Sequence, residues 1–498
     1  MTTLTPEPNA NRLSPETTTG LPANSSAKKP NVSVEGIETR GIEHIGEEQR
    51  GGHPWSLIAV WATPCFSFLN ITLGGVLVAG LGLSLWQALA TTVIANTAWL
   101  LVGIAAVSGP AAGTGASVIT RAIYGIHGNK IIVALYGWLL SAVYLSLTWS
   151  AASINGVGLL ESFGVTTNTV VNVGVILAIA SVTTLVGIYG HGLITRYFPY
   201  VANTLVLIFV AATFFMLPQV DFGYQPAQRL EGMDLITAMT IGVAVLSSSP
   251  LSFFNSPDMS RYLPSSTPKW QTAGATAFGG ASASIFMTMA GALIATGANF
   301  DMLGDPLGAF SSTLPGWFFP IFAIAIIVGA IGLNGMTTYS ASLSLQALGI
   351  PLKRIPSAMV ITVLGTLLTI GSVLIYDFTT SVSLLLQLIV IASGPLLTVL
   401  AMDVILRRNS YSGPDLLNDR PGGPFWYRQG WNWNGLGSIV IGGIAAALCI
   451  KTDVFVGPFA LLTGMDLSIP AGILFSALSY ALMFRCAFAT PNSRTKEK

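Results

Sequence analysis

The chain has 498 residues, of which 52% are hydrophobic and only 9% charged, with a formal net charge of +1. No soluble domain of this size needs so apolar a composition, which is the one expected when most side chains face lipid or a packed helix bundle. The three cysteines, Cys65, Cys449 and Cys486, are odd in number and lie in or at the ends of apolar runs, which argues against a disulfide framework.

Residues 1–54 are rich in Pro, Thr, Ser and Asn and lack the apolar stretch of a cleaved signal peptide, so they read as a disordered tail whose last part, VEGIETRGIEHIGEEQRGG, is less random. Twelve apolar runs follow, near 55–80, 85–108, 131–157, 167–190, 197–217, 233–256, 272–298, 314–348, 357–376, 380–403, 435–455 and 468–487. Each reaches the about 20 residues needed to cross a hydrocarbon core of about 30 Å. A backbone in lipid must satisfy its own hydrogen bonds, so the runs are expected as helices. The expectation is an all-α integral membrane protein with 12 transmembrane helices. Residues 55–217 hold spans 1–5, 233–403 hold spans 6–10, 404–434 form a loop, 435–487 hold spans 11 and 12, and 488–498 are a second tail.

Lys and Arg are retained on the cytoplasmic side of a membrane. One set of alternate gaps holds Arg121, Lys130, Arg196, Arg261, Lys269, Lys353, Arg354, Arg407, Arg408, Arg420 and Arg428, and the other holds Arg229 and Lys451. Both termini are therefore expected in the cytoplasm. The acids Glu161, Asp221, Glu231, Asp234, Asp301, Asp305, Asp377, Asp453 and Asp466 fall on the opposite side.

Two spans are interrupted. Span 1 carries Thr63, Pro64 and Cys65 near its middle, and span 6 carries Ser247, Ser248, Ser249 and Pro250. Proline removes a helical hydrogen bond and clashes with the preceding turn. Either proline alone would do no more than kink a helix. Spans 1 and 6, however, open two successive groups of five, the positions at which inverted-repeat transporters place paired broken helices and a midplane binding site.

No carboxylate or ammonium stands at the midplane, where one would cost about 2.5–3.5 kcal/mol or more. Asp403 reads as a solvated helix terminus. Asp258 and Arg261, three residues apart at the inner end of span 6, are within reach of one another and read as a gating or structural pair. His44, His53, His127 and His191 show no metal-ligand spacing and read as surface residues. Gly109 to Gly115 lacks the ending of a phosphate loop, and no catalytic motif or acid–base pair is present. No enzyme, cofactor or nucleic-acid partner is expected. The midplane instead offers neutral polar groups: the span 6 serines, Asn334, Thr337 and Thr338 in span 8, and Tyr144, Thr148, Trp149 and Ser153 in span 3. Helix packing through small residues is the competing reading of these groups.

The segment Glu38, Thr39, Arg40, Gly41, Ile42 and Glu43 carries a family resemblance together with Trp61 and Gly74, Arg121 with Gly125 and Gly128, and Asp258 to Pro264. Tyr339 to Gly349, Trp426 to Asn432 and Gly457 with Pro458 extend it over nearly the whole chain. On these residues the chain resembles the nucleobase:cation symporter-1 family, in its purine and cytosine permease branch. The resemblance implies a LeuT-like five-plus-five inverted repeat with discontinuous helices 1 and 6 and two extra helices, and cotransport with Na⁺ or H⁺. It places Pro64, Cys65 and Phe66 at the break of span 1, Ser248 and Ser249 at that of span 6, and Asn334, Thr337 and Thr338 at the polar positions of span 8. Pro64, Thr337 and Thr338 are the candidates for the cation. Relatives commonly sandwich a flat ring between aromatics of spans 3 and 6. Here span 3 offers Tyr144 after a one-residue slip, the span 6 position holds Ser249, and Phe66, Phe253 and Phe254 are candidates for the missing face. The twin asparagines and proline of the family's span 8 stand here as Leu333, Asn334 and Met336.

The reading is a symporter of the cell membrane that imports a nucleobase, cytosine or a purine, by alternating access, with Cys65, Phe66, Tyr144, Thr148, Ser248, Ser249 and Asn334 against the substrate. A same-fold carrier of thiamine, of a hydantoin- or allantoin-like compound, or of an amino acid is the alternative, although an amino-acid site favours glycines at the break. A channel or receptor is a third reading, but no pore motif or charged ring supports it.

Overall fold

The structure, a computed structural model, describes residue 38 and residues 40–297, 306–375, 378–452 and 455–489. The first tail up to residue 37, the last residues from 490, and Asp301, Asp305, Asp377 and Asp453 lie outside the described residues. The described chain is helical apart from its connections.

Among the described residues nine helices are long and apolar enough to cross a membrane. They are Leu85–Ala112, Arg121–Ser162, Thr169–Tyr189, His191–Gln219, Gly232–Leu251, Lys269–Ile294, Phe319–Ala347, Arg354–Val373 and Ser468–Cys486, which correspond to spans 2–9 and 12. Span 1 is a bent pair, Ser56–Cys65 and Phe68–Gly80, with 59° between its halves. Two shorter apolar helices, Ile391–Leu406 and Trp433–Cys449, fall at the expected places of spans 10 and 11.

Span 8, Phe319–Ala347, is the most buried of these helices and packs on spans 3, 4, 5 and 9 and on the break of span 1. Span 1 is held to span 7 backbone to backbone. A Cβ at Gly291 would stand 1.8 Å from the Ile71 carbonyl oxygen, and one at Gly74 would stand 1.8 Å from that of Thr288. Close approach through glycine is how membrane helices gain packing energy where no hydrophobic drive exists between them. Span 1 is thus braced along span 7.

The connections sort into two ends, as the alternation of charge suggests. At one end Arg50 donates to the Pro110 carbonyl, Arg121 to that of Leu416, Arg407 to that of Ala122 and Lys269 to that of Arg408. These bonds join the gaps in which most cations fall. At the other end the Asp221 backbone N–H donates to Thr296 and that of Asp466 to Thr240. Asp403 is no solvated terminus: it is fully buried and accepts from Arg407, Tyr411 and Tyr480, which ties spans 10 and 12 together. His191, also read as a surface residue, is buried beside the Met259 carbonyl.

Replacing Gly291 by Leu forces side-chain atoms into the Ile71 carbonyl and should destabilise the fold by at least the about 1–3 kcal/mol typical of overpacking. The expected result is a lower melting temperature or loss of the monodisperse peak in fluorescence-detected size-exclusion chromatography, whereas Gly274→Leu, where a Cβ meets open space, leaves both unchanged.

Candidate functional site

Span 1 breaks because Pro64 brings no N–H to the helix and its neighbours Thr63–Cys65 tighten into a 3₁₀ turn. Phe66 then adopts φ −76°, ψ 69°, an inverse γ-turn that sends the Ser67 N–H back to the Cys65 carbonyl at 2.9 Å. The Asn70 side chain donates to the same carbonyl at 2.8 Å, and Ser67 caps the second half of the span. The Phe66 ring stacks on Phe209 of span 5, while its carbonyl lies against Gly329 of span 8.

Span 6 breaks one turn later than its serines suggest. The helix runs through Pro250 to Leu251, the chain turns at Ser252 to Asn255, and a short helix, Ser256–Ser260, follows with Pro257 in its first turn. Ser248 therefore stands inside a helix, its hydroxyl donating to the Val245 carbonyl. Ser249 and Ser252 line the turn, and both hydroxyls act on the Tyr144 hydroxyl of span 3, beside Cys65. Three spans thus converge at one point. Below it Phe253 packs between Trp61 and Trp99, with ring centroids 5.2 and 5.4 Å away.

One helical turn along span 3, Thr148 hydrogen-bonds to the side-chain oxygen of Asn334 at 2.5 Å. Asn334 is fully buried, and its side-chain N–H groups have no partner. A buried unmet donor costs about 1–3 kcal/mol, which an incoming acceptor recovers. A cavity of about 10 Å³, room for about one water, lies between Ser67, Thr148, Ala330 and Leu333. Trp149 turns away: its indole N–H reaches Thr183 of span 4, within a separate apolar cluster.

The structure brings Cys65, Tyr144 and Ser249 together, joins Thr148 to Asn334, and leaves Phe66 at the same break. It does not assemble Pro64, Thr337 and Thr338 into one cage. The Thr337 hydroxyl bonds to its own helix at Leu333, and the Thr338 methyl faces Gly187 of span 4. Ser252, Ser67 and Asn70 escaped the sequence reading. A Ser-x-x-Asn start at 67–70 and a second proline at 257 were the available signals.

The pair at the C-terminal end of span 6 is also rearranged. Arg261 donates to the Gly41 carbonyl, to Glu38 at 3.1 Å and to the Tyr339 hydroxyl, while Arg354 forms a second ion pair with Glu38. Glu38 competes successfully for the guanidinium that the three-residue spacing assigned to Asp258. Burial works to raise the Glu38 carboxyl, but Arg261 and Arg354 together hold it below its usual value. Asp258 accepts instead from the Ala116 N–H at 2.7 Å, at the junction of spans 2 and 3.

Two broken helices set against spans 3 and 8, with neutral polar groups at the breaks, define a secondary transporter of the inverted-repeat kind. The profile of one family, permeases for cytosine/purines, uracil, thiamine and allantoin, matches residues 44–472. The chain belongs to that permease family, which is a family of transporters and not of enzymes. The putative purine-cytosine permease YxlA of Bacillus subtilis (strain 168) is 27% identical over 461 residues, covering 90% of this chain and 96% of the relative. Among solved structures the fold is similar to Mhp1, a nucleobase-cation-symport-1 family transporter, closed with bromovinylhydantoin bound, at a TM-score of 0.73 and 17% identity over 91% of this chain and 96% of that one. The inward-facing conformation of Mhp1 gives a TM-score of 0.67, with 18% identity over 91% of this chain and 96% of that one. MhsT in complex with L-phenylalanine gives 0.57, with 14% identity over 88% and 100%. The LeuT-like architecture that the resemblance implied is therefore the fold observed.

If Tyr144 supplies a ring face to the ligand, Tyr144→Ala should weaken half-saturation several-fold, in line with the about 0.5–1.5 kcal/mol of an aromatic contact. Trp149→Phe, on the far side of span 3, should leave it unchanged. Concentration-dependent binding of a radiolabelled ligand to both purified variants checks the contrast.

Proposed function

We propose that this permease imports a small uncharged nitrogen heterocycle, cytosine or a purine base, together with Na⁺ or H⁺, by alternating access between the two ends of the bundle. The observation that carries this reading is the buried Thr148–Asn334 pair, whose free amide donors sit one turn from Tyr144 at a break where no described side chain is ionised. A neutral ring suits such a place, because a charge would stand there uncompensated. Tyr144 stacks on the ring, Asn334 donates to a ring acceptor, and Ser249 and the backbone around Cys65 and Phe66 meet its opposite edge. Ser248 is held in the helix behind Ser249 and orients the turn.

The purine-cytosine permease relative supports the nucleobase. The hydantoin bound to Mhp1 supports a second reading, a hydantoin- or allantoin-like substrate, which presents the same alternation of ring N–H and carbonyl groups. The excess of cations at the end that holds Glu38, Arg261 and Arg354 supports its placement in the cytoplasm, with both tails on that side of a cell membrane.

Counterflow in proteoliposomes preloaded with unlabelled cytosine, adenine, hypoxanthine or a hydantoin tests the reading. Saturable exchange of labelled cytosine or a purine is expected, and Asn334→Ala should abolish it while the protein still elutes as a folded species. Exchange of the hydantoin alone selects the second reading. Absence of exchange with every compound overturns both.

A further inference from the structure

Two large grooves on the outer surface of the bundle differ in what their polar groups do. One, of about 610 Å³ between spans 2, 6 and 12, holds four polar side chains, and each is already bonded. Thr97 donates to the Ile94 carbonyl, Thr240 to that of Thr237 and Ser247 to that of Ala95, while Asp466 accepts from Ser468 and two backbone N–H groups. The other groove, of about 440 Å³, runs between spans 1, 5 and 7, from Trp55 past Ala62 to Phe66 at the break. Asn203 of span 5 lies exposed in it, with no hydrogen bond from its side chain to any described residue. Ser282 of span 7 also lines it and makes only a 3.4 Å bond to the Gly279 carbonyl. An amide without partners is costly in hydrocarbon, where no water can meet it.

The mouth of this groove has the character of a membrane interface. Trp55 pairs there with Trp270, ring centroids 6.0 Å apart, and Tyr197 and Tyr200 stand at the same end of span 5, all four exposed. Arg196 precedes Asn203 by seven residues on the helix His191–Met216, which puts it two turns away on the same face and about 10 Å nearer that interface. It is exposed, and among the described residues its guanidinium meets only the Tyr197 ring, at 5.6 Å. Lys269, at the start of span 7, donates instead to the Arg408 carbonyl. The groove therefore pairs a free cation at its mouth with a free amide inside.

Its shape suits a hydrocarbon chain. A volume of about 440 Å³ along the about 16 Å of helix from Trp55 to Phe66 leaves a channel narrower than the about 10–12 Å of a helix with its side chains, so a neighbouring span does not fit into it. A phosphate held at the level of Arg196 places the ester carbonyls of a phospholipid deeper, toward Asn203, and an acyl chain deeper still, along the apolar wall that ends at Phe66.

We propose that this groove binds an anionic phospholipid from the leaflet at the end that holds Glu38, with the phosphate on Arg196, an ester carbonyl on the Asn203 amide and one acyl chain laid along the first half of span 1. The chain fills the space between that half and spans 5 and 7, so the lipid braces the segment that leads into the break. Phe66, at the deep end of the groove, also stacks on Phe209, so the lipid touches the wall of the site without entering it. Neither the substrate nor the coupling ion enters the assignment.

The test uses the full chain, purified and delipidated in a mild detergent and titrated with phosphatidylglycerol or with phosphatidylcholine of the same acyl chains, bound lipid being counted by native mass spectrometry. One molecule of phosphatidylglycerol should bind about fivefold more tightly than phosphatidylcholine, the preference that one surface cation provides, and should raise the melting temperature. Arg196→Gln should bring the two lipids level. Asn203→Leu should weaken both alike, since the ester carbonyl is common to them. Val206→Trp, which fills the groove from an exposed position, should abolish the tight site, whereas Leu207→Trp, exposed but outside the groove, should leave it intact. All four positions are exposed, and each variant should elute as the unmodified protein does. Equal binding of the two lipids by the unmodified protein, a preference that survives Arg196→Gln, or a tight site that survives Val206→Trp overturns the proposal. A dimer that binds no lipid and falls apart in Val206→Trp overturns it as well and assigns the groove to a second copy of the chain.

Discussion

In hydrocarbon a peptide group without a partner costs several kcal/mol, and the rest of this structure depends on how the chain meets that constraint where span 1 stops being a helix. The inverse γ-turn at Phe66 uses one donor locally, Asn70 brings a side-chain amide to the Cys65 carbonyl, and Ser67 caps the segment that follows. These devices fix a 59° bend at one depth of the membrane. The bend would still be soft without its neighbours. Glycines on spans 7 and 8 bring their backbones against the two halves of span 1 and the Phe66 carbonyl, so the distorted segment rests on unbroken helices and the polar groups of spans 3, 6 and 8 have a fixed point to converge upon.

Charge is kept apart from that point. The buried arginines Arg50, Arg121, Arg261 and Arg354 stand at one end, and each is engaged by backbone carbonyls or by Glu38. Glu38, which precedes every span, accepts from Arg261, Tyr262 and the His191 N–H while its own carbonyl takes Arg354. It thereby connects the ends of spans 5, 6 and 9. Such buried ion pairs add little net stability, because desolvation offsets most of the attraction, but removing one partner leaves a costly unpaired charge. The clasp specifies one closed arrangement more than it strengthens the fold.

Much of this was legible in the sequence, and the parts that were not have physical reasons. Hydropathy and charge gave the spans and their alternation because lipid imposes length and sign on every segment. Pro64 marked the span 1 break because a proline in mid-helix has no local remedy other than a turn. Pro250 misled by one turn: it lies in the last turn of its helix, where the chain was about to leave the helical path in any case, and Pro257, suited to a first turn, marks the restart. The partner of Arg261 could not be read from spacing, since Glu38 lies 223 residues away. Trp149 and Tyr144 share one helix, and sequence alone does not show which faces the site. The answer depends on helix rotation, which the Trp149–Thr183 bond toward span 4 and the contact of Tyr144 with Ser249 and Ser252 make plain.

Breaks without ionised side chains and an end crowded with charge divide the polar interactions of the bundle between two depths. The cavity between spans 1 and 8 presents the Ser67 and Thr148 hydroxyls beside Ala330 and Leu333. At the end that holds Glu38, neutral hydroxyl bonds hold the short helix of span 6 to span 2, the Glu38 clasp holds it to spans 8 and 9, and one carboxylate holds it to the start of span 3. The first tie has no charge to lose, and the second is stabilised as an ion pair. The third is a single charge-assisted bond to a carboxylate with no cation paired to it, whereas the side chains at the two breaks are neutral.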